Sequence, residues 1–180
     1  QAKNDAISGA TDLNDDDSLR LAARAIESAA RVQLVCSGNA FSVVRDCALK
    51  LAGIGKPVIA EPDAEVQSLS VTTLTRDDCL ILISSTGQSS QLSKLAKQGR
   101  KAGATIISVT NQSANPVAAL ADIRLYSVSH GRENDIPLVV ASTSQQHVMD
   151  LVFFTLVKAG RHDQNSSRRR CKAAELTEAK

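Results

Sequence analysis

The sequence has 180 residues and a formal net charge of +2, with 43% hydrophobic residues but only 2% aromatic residues. That length suits one domain, whose core must be built from Ala, Val, Leu and Ile, as in a parallel sheet covered by helices. The shortage of aromatic rings argues against a surface that stacks single-stranded nucleic acid, and the small net charge points to no particular partner.

The first part of the chain contains a polar lead-in, a helix and a buried strand. Residues 1–16 are mostly polar and predict a linker remnant. Apolar residues recur at helical spacing between 17 and 30, behind Asp residues that suit a helix N-terminus. The run 32–36 predicts a short buried strand that Ser37 and Gly38 end, and a helix follows over about 41–51.

The rest of the chain repeats the same alternation of strands and helices. Strands are predicted at 57–60, 79–83, 105–109 and 123–128. Helices are predicted at 63–74, 91–101, 116–121 and 142–158. The run 79–83, of sequence Cys-Leu-Ile-Leu-Ile, is the clearest strand because it is continuously apolar.

Five short strands separated by helices predict an α/β fold, a three-layer αβα sandwich around a five-stranded parallel sheet of the doubly wound, flavodoxin-like kind. We expect one domain over 17–160. Residues 161–180, which include Arg168–Arg170, are expected to form a basic tail or a further helix. Three arginines are too small a patch to predict DNA binding by this chain itself.

Cysteine usage and hydropathy limit the compartment and the chemistry. The four cysteines have no CxxC spacing, so we expect reduced thiols in a cytoplasmic protein, with no metal site and no cofactor. No apolar run approaches the length of about 18 that spans a membrane. The chain begins with Gln1 instead of Met, so we expect it to be part of a longer protein.

The loop after the third strand is the strongest candidate for a binding site. It is rich in small hydroxyl side chains and consists of Ser84, Ser85, Thr86, Gly87, Gln88, Ser89 and Ser90. Hydroxyls, a glycine and the N–H groups of the following helix are what an anion such as phosphate needs. The alternative is that Ser and Thr only cap the helix, but five of them in seven residues exceed that need.

A second loop, Ser37, Gly38 and Asn39, follows the first strand and could face the same ligand from the other side. A small-residue turn between a strand and a helix is common, so this signal is weak by itself. The GxGxxG pattern of dinucleotide-binding proteins and the GxxxxGK[ST] pattern of P-loops are absent, which argues against NAD and nucleotide triphosphates.

The stretch 32–128 resembles the SIS domain, a sugar-isomerase fold that binds phosphosugars. The family pattern Ser-x-Ser-Gly-x-Thr follows an apolar strand, and Ser84, Thr86 and Ser89 stand at its three hydroxyl positions. Residues 43–55 and the segment around His147 are similar to the RpiR family of transcription regulators, which carry a helix-turn-helix domain ahead of a SIS domain. Ala40 stands where the family's first loop has Ser.

This resemblance implies a sugar phosphate as ligand, and either a sensor or an isomerase as function. An aldose–ketose isomerase needs a general base, for which Glu65 and Glu133 are candidates, and His130 could assist. Glu133 and His130 could instead contact sugar hydroxyls. We expect His147, on an amphipathic helix, to be packed rather than catalytic.

A sensor is favoured because no motif fixes an acid and a base together. The resemblance further implies a homodimer or homotetramer and DNA binding through a helix-turn-helix domain that this chain lacks. A purely structural dimerisation module stays a third possibility.

Overall fold

The computed structural model describes residues 1–129 and 136–178, with side chains described within those ranges as far as residue 159. The described helices are α1 (Ala2–Leu13), α2 (Asp16–Ser28), α3 (Phe41–Gly53), α4 (Ala64–Val71), α5 (Ser90–Ala102), α6 (Pro116–Leu120) and α7 (Pro137–Glu178). The strands are β1 (Val32–Cys36), β2 (Val58–Ala60), β3 (Cys79–Ile83), β4 (Thr105–Thr110) and β5 (Ile123–Tyr126), and a 3-10 turn covers Gly38–Ala40.

The five strands form one parallel sheet in the order β2-β1-β3-β4-β5. This confirms the predicted doubly wound α/β fold. The connection that leaves β1 leads to β2 at one edge of the sheet, and the connection that leaves β3 leads to β4 on the other side. Ligands of such folds bind at the carboxyl ends of the two strands from which the connections diverge.

Two hydrophobic cores cover the two faces of the sheet, which gives the predicted three layers. The core on one face includes residues of α2, α3 and α7, and the core on the other includes residues of α5 and α6. Ile81 and Ile83 face the first core, whereas Leu80 and Leu82 face the second. All of β3 is buried, which explains why its sequence is continuously apolar rather than alternating.

The prediction of a linker over residues 1–16 is wrong, because residues 2–13 form α1 and Asp16 begins α2. Helix α1 packs against α7 and buries only small side chains, Ala6 and Ala10. A Cβ added at Gly9 would lie 2.9 Å from Val128 Cγ2, so α1 approaches its neighbours very closely. Small residues permit this contact, but they give a weak hydrophobic pattern in the sequence.

Asn14, directly after α1, closes the edge of the sheet at β5. Its Nδ2 donates to the Tyr126 carbonyl oxygen at 2.7 Å, and its Oδ1 accepts from the Tyr126 N–H at 2.8 Å. The side-chain amide therefore makes the pair of hydrogen bonds that a neighbouring strand would make. Asn14 is buried, at 7% exposure, and α1 is thereby fixed to the sheet.

The last helix is longer than predicted at both ends. It begins at Pro137 rather than Ser142, and it continues through Glu178, so residues 161–178 of the segment expected to be a tail or a separate helix belong to α7. The side chains of Arg168–Arg170 lie outside the described residues. The earlier start brings one extra helical turn to the edge of the sheet where β1 and β3 end.

Candidate functional site

The register between β1 and β3 brings the two predicted loops together. Cys36 pairs with Ile83, so Ser37 and Ser84, the next residue of each chain segment, emerge side by side. Ser37 Oγ donates to Ser84 Oγ at 3.1 Å. Burial raises the pKa of the Cys36 thiol, which therefore stays neutral and acts as a small hydrophobe at this edge.

Ser84 lies at the base of the site and organises the loop that follows it. It is 3% exposed, and its N–H donates to the Val109 carbonyl oxygen at 3.0 Å, which continues the pairing of β3 with β4. Its Oγ accepts from the Gly87 N–H at 3.1 Å and so closes a tight turn. One hydroxyl therefore shapes the loop and faces the site at the same time.

Gly87 occupies a position where a side chain would not fit. Its φ is +68°, and an added Cβ would lie 2.1 Å from Asn115 Oδ1. Asn115 cannot easily move, since its Oδ1 accepts from Ala118 N at 2.8 Å and its Nδ2 donates to Thr110 Oγ1 at 3.1 Å. The loop is thus fixed from behind by α6, a contact that the sequence did not reveal.

Ser89 caps the helix that leaves the loop. Its Oγ accepts from Leu92 N at 3.2 Å, and the first turn of α5 begins beside the loop. The free N–H groups and positive dipole end of a helix favour an anion in front of it. Capping was the alternative explanation for the hydroxyl-rich loop, and it accounts for Ser89 but not for Ser84, Ser85 or Thr86.

A cavity of about 220 Å³ lies above Ser37 and Ser84. The predicted residues that line it are Ser37, Gly38, Asn39, Ser84, Ser85 and Thr86. The other predicted loop residues do not: Gly87 is buried behind the loop, Gln88 is exposed toward a neighbouring groove and Ser89 caps α5. Ser37 and Ser84 are 47 positions apart in sequence, yet the two loops that they begin share one cavity.

The third wall of the cavity was not predicted and comes from the first turns of α7. Its lining residues, Leu138, Ala141, Ser142 and Gln145, stand at positions i, i+3, i+4 and i+7 and so share one helix face. Gln145 is 1% exposed, and its Nε2 donates to Ser85 Oγ at 3.4 Å. The predicted helix 142–158 left out Leu138 and Ala141, so the face that these residues share with Ser142 and Gln145 was not seen in the sequence.

The candidate acids and bases do not meet in the described part of the cavity. Glu65 is exposed in the first turn of α4, beside the cap Asp63, and does not line the cavity. His147 Nε2 lies 2.9 Å from Thr11 Oγ1, and this hydrogen bond joins α7 to α1, which agrees with a packing role. Glu133 and His130 lie outside the described residues.

The described lining of the cavity combines polar side chains with Ala40, Leu138 and Ala141, and it contains no charged side chain. Hydroxyls, the side-chain amides of Asn39 and Gln145, and backbone groups supply its hydrogen-bonding capacity. Among the described residues there is no group of three or more His, Cys, Asp or Glu side chains that could hold a metal ion. Nor does any helix there have the length and apolar character needed to cross a membrane.

The sequence model of the SIS domain family matches residues 25–155 of this chain. Among solved structures, the Vibrio vulnificus NanR protein complexed with ManNAc-6P is similar with a TM-score of 0.81 and 20% identity, over 96% of this chain and 66% of that one. The sugar isomerase domain of an RpiR transcription factor from Sphaerobacter thermophilus gives 0.77 and 16%, over 95% and 94%. A phosphoheptose isomerase from Francisella tularensis gives 0.70 and 16%, over 87% and 92%.

Proposed function

This chain belongs to the SIS domain family, and from that premise we propose that it is the sugar-phosphate-sensing effector domain of an RpiR-type transcription regulator. The phosphate lies against Ser84, Ser85 and Thr86 in front of α5, and the sugar extends between the first loop, Ser37–Asn39, and α7. The observation that carries this proposal is the convergence of both loops on one cavity where β1 and β3 end.

The cavity supports the phosphate part of the proposal by its chemistry. A phosphate dianion needs several short donors and relief of its charge, and hydroxyls with a helix N-terminus provide both without a lysine. The Ser84 and Ser37 hydroxyls already contact each other at 3.1 Å, so they are held in place before a ligand arrives. A site that is organised in advance loses less entropy on binding.

A path from the cavity to the start of the chain supports sensing. Gln145 reaches the loop at Ser85, so a ligand between them contacts α7 directly. Two residues further along the same helix, His147 contacts Thr11 of α1. Occupancy that shifts α7 would therefore be felt by α1, and through α1 by a DNA-binding domain joined on that side.

The proposal includes the setting in which such a sensor works. The domain acts in the cytoplasm as a homodimer or homotetramer, and it reaches DNA only through a helix-turn-helix domain outside this chain. The sugar phosphate shifts the equilibrium between two arrangements of the subunits, which requires that it bind one arrangement more tightly than the other.

The second candidate function is aldose–ketose isomerisation, which the fold similarity to the Francisella phosphoheptose isomerase favours. A base and an acid near the sugar carbons are required for it. Within the described lining of the cavity there is no carboxylate and no imidazole, so the described residues support binding more than proton transfer.

The experiment that tests the sensor is a thermal-shift and calorimetric screen of this chain against sugar phosphates, with inorganic phosphate alongside. We expect saturable binding of at least one sugar phosphate and at least about tenfold weaker binding by Ser84→Ala, which removes one hydrogen-bonding hydroxyl. Ser90→Ala is the matched control, because Ser90 is an exposed Ser in the same segment outside the cavity.

The outcomes separate the three functions. Binding without conversion of the sugar supports the sensor. Formation of a ketose phosphate from an aldose phosphate, lost in Glu133→Gln or Glu65→Gln, would show an isomerase instead. If no sugar phosphate binds, or Ser84→Ala binds as tightly as the natural protein, the cavity is not a sugar-phosphate site and a structural module is left.

A further inference from the structure

We infer that the sugar phosphate bound in this cavity carries an N-acyl group, such as an acetamido group, which the α7 wall recognises. This inference rests on the proposed function and names its ligand more closely. It depends on the chemistry of four residues that face the cavity from one side of α7, at 138, 141, 142 and 145.

Half of that wall is apolar. Leu138 and Ala141 line the cavity from α7, and Ala40 lines it from the 3-10 turn opposite. Leu138 is 51% exposed, so a ligand that covers it would remove apolar surface from water. The hydroxyls of a plain hexose gain nothing from such a surface, whereas the methyl group of an acyl substituent does.

The other half of the wall offers a hydrogen-bond donor. The Ser142 hydroxyl is already used, since it donates to the Leu138 carbonyl oxygen at 2.8 Å within the helix. Gln145 carries two N–H hydrogens on Nε2, and its one described bond is the long contact of 3.4 Å to Ser85 Oγ. An N–H donor is therefore available to a carbonyl oxygen.

The spacing of these groups fits one acyl group. Ala141 and Gln145 are four residues apart, about 6 Å along the helix axis, and a glutamine side chain leans back toward the preceding turn. The carbonyl and the methyl of an acetamido group are bonded to the same carbon. A carbonyl oxygen at Gln145 therefore directs the methyl toward Ala141 and Leu138.

Charge argues against the other common substituents. The described lining of the cavity contains no carboxylate to pair with the ammonium of a free amino sugar, and no lysine or arginine to pair with the carboxylate of a sugar acid. Removing either charge from water without a partner is unfavourable. The described lining therefore favours a neutral substituent, hydroxyl or N-acyl, and the apolar half of the wall favours the acyl group.

Calorimetry with matched ligands tests the inference on the 180-residue chain. N-acetylmannosamine 6-phosphate and mannose 6-phosphate differ only at C2, as do N-acetylglucosamine 6-phosphate and glucose 6-phosphate. We expect the N-acetylated member of at least one pair to bind about tenfold or more tightly than its partner, the range that apolar pocket contacts give. Mannosamine 6-phosphate, with a free ammonium, should bind more weakly than the N-acetyl compound.

Two variants show whether the α7 wall makes the distinction. Gln145→Leu keeps the volume and removes the donor, and Leu138→Ser removes exposed apolar surface at the cavity rim, where folding is little affected. Each should lower the N-acetyl preference by about threefold to tenfold while changing hexose phosphate binding less. Leu49→Ser is the control, since Leu49 is 66% exposed on α3 outside the cavity.

Two results would overturn the inference. Equal or tighter binding of the unacylated partner in both pairs would do so while leaving the proposed function intact, and so would an N-acetyl preference that both variants retain in full. Failure of the natural protein to bind any of these phosphates, or any other sugar phosphate of the screen, would overturn the proposed function itself.

Discussion

Gly87 and Asn115 lie in direct contact: a Cβ at position 87 would be 2.1 Å from Asn115 Oδ1, and Asn115 is itself fixed by Thr110 and Ala118. The loop that faces the cavity is therefore supported on its other side by Asn115, the residue that caps α6. The positive φ of +68° adds a second reason for glycine at this position.

We predict that Gly87→Ala lowers the free energy of unfolding by about 3 kcal/mol, because the strain of a positive φ and the clash with Asn115 act together. Sugar-phosphate affinity should fall as well. Urea denaturation measures the first effect and calorimetry the second. Gly55→Ala is the control: φ there is +83°, but nothing lies within 4 Å of the added Cβ, so about 1 kcal/mol is expected. Equal losses in the two variants would refute the role of the Asn115 contact.

The cap of α5 gives a second prediction. Ser89→Ala should lower the free energy of unfolding by about 1 kcal/mol, because Leu92 N loses its acceptor. Ser90→Ala, one position later and exposed, should change it by less than about 0.5 kcal/mol. Thermal or urea unfolding distinguishes the two, and a Ser89→Ala protein as stable as Ser90→Ala would show that the cap contributes nothing.

A third prediction concerns pH. Burial by itself would raise the pKa of Asp78, but hydrogen bonds from Thr75 and Arg31, which lies 2.9 Å away, outweigh it and hold the pKa below its ordinary value of 3.8. A carboxylate whose pKa is lower in the folded chain than in the unfolded chain stabilises the fold at pH values above the unfolded pKa. This contribution is lost as the pH falls through the folded pKa. The window therefore lies below pH 3.8.

Asp78→Asn should thus lower the free energy of unfolding by about 3 kcal/mol at neutral pH, since Arg31 loses its partner. Its stability should also depend less on pH below 3.8 than that of the natural protein. Urea titrations across the acid range measure both. Asp77→Asn, at an exposed neighbouring position, should keep the natural slope, and a variant of Asp78 with the same acid slope as the natural protein would contradict the assignment.

A fourth prediction concerns thiol reactivity. Burial raises the pKa of both Cys47 and Cys79 to about 12, so neither forms the reactive thiolate in the folded chain. We expect alkylation by iodoacetamide at mildly alkaline pH to be slower by about a hundredfold or more in the folded protein than in urea at both positions. Peptide mapping by mass spectrometry reads each cysteine separately. Rapid labelling of Cys47 without denaturant would mean that the contact between α3 and α7 opens readily.

The parts of this fold that were predictable are those whose pattern follows from burial. The predicted ranges of β1 and β3 match the observed ranges at both ends. A strand that is covered on both faces is continuously apolar, and such a run is easy to recognise in a sequence. The helix α1 was missed because it packs through Ala6, Ala10 and Gly9, which bury little area and leave no strong periodicity. Whether small residues of α1 are buried depends on the shape of α7 as well as on the sequence of α1 itself.

The cavity lining was predictable where one short segment supplies several of its residues. Ser84 and Thr86 stood out because hydroxyls are concentrated after a buried strand, and both line the cavity. Gln145 could not be found in this way, because its role depends on where α7 crosses the ends of β1 and β3. Nor could the sequence separate Ser89, which caps a helix, from its neighbours, since capping and anion binding use the same residue types.

The amide of Asn14 has a consequence for any shortened form of this protein. An unpaired strand at the border of a sheet is a template on which another chain can add, and β5 is such a strand. Here a single side chain occupies the main-chain groups of Tyr126, and α1 packs against the same region. Removal of the first fourteen residues would therefore leave the edge strand β5 unpaired, and we expect the shortened protein to self-associate through β5.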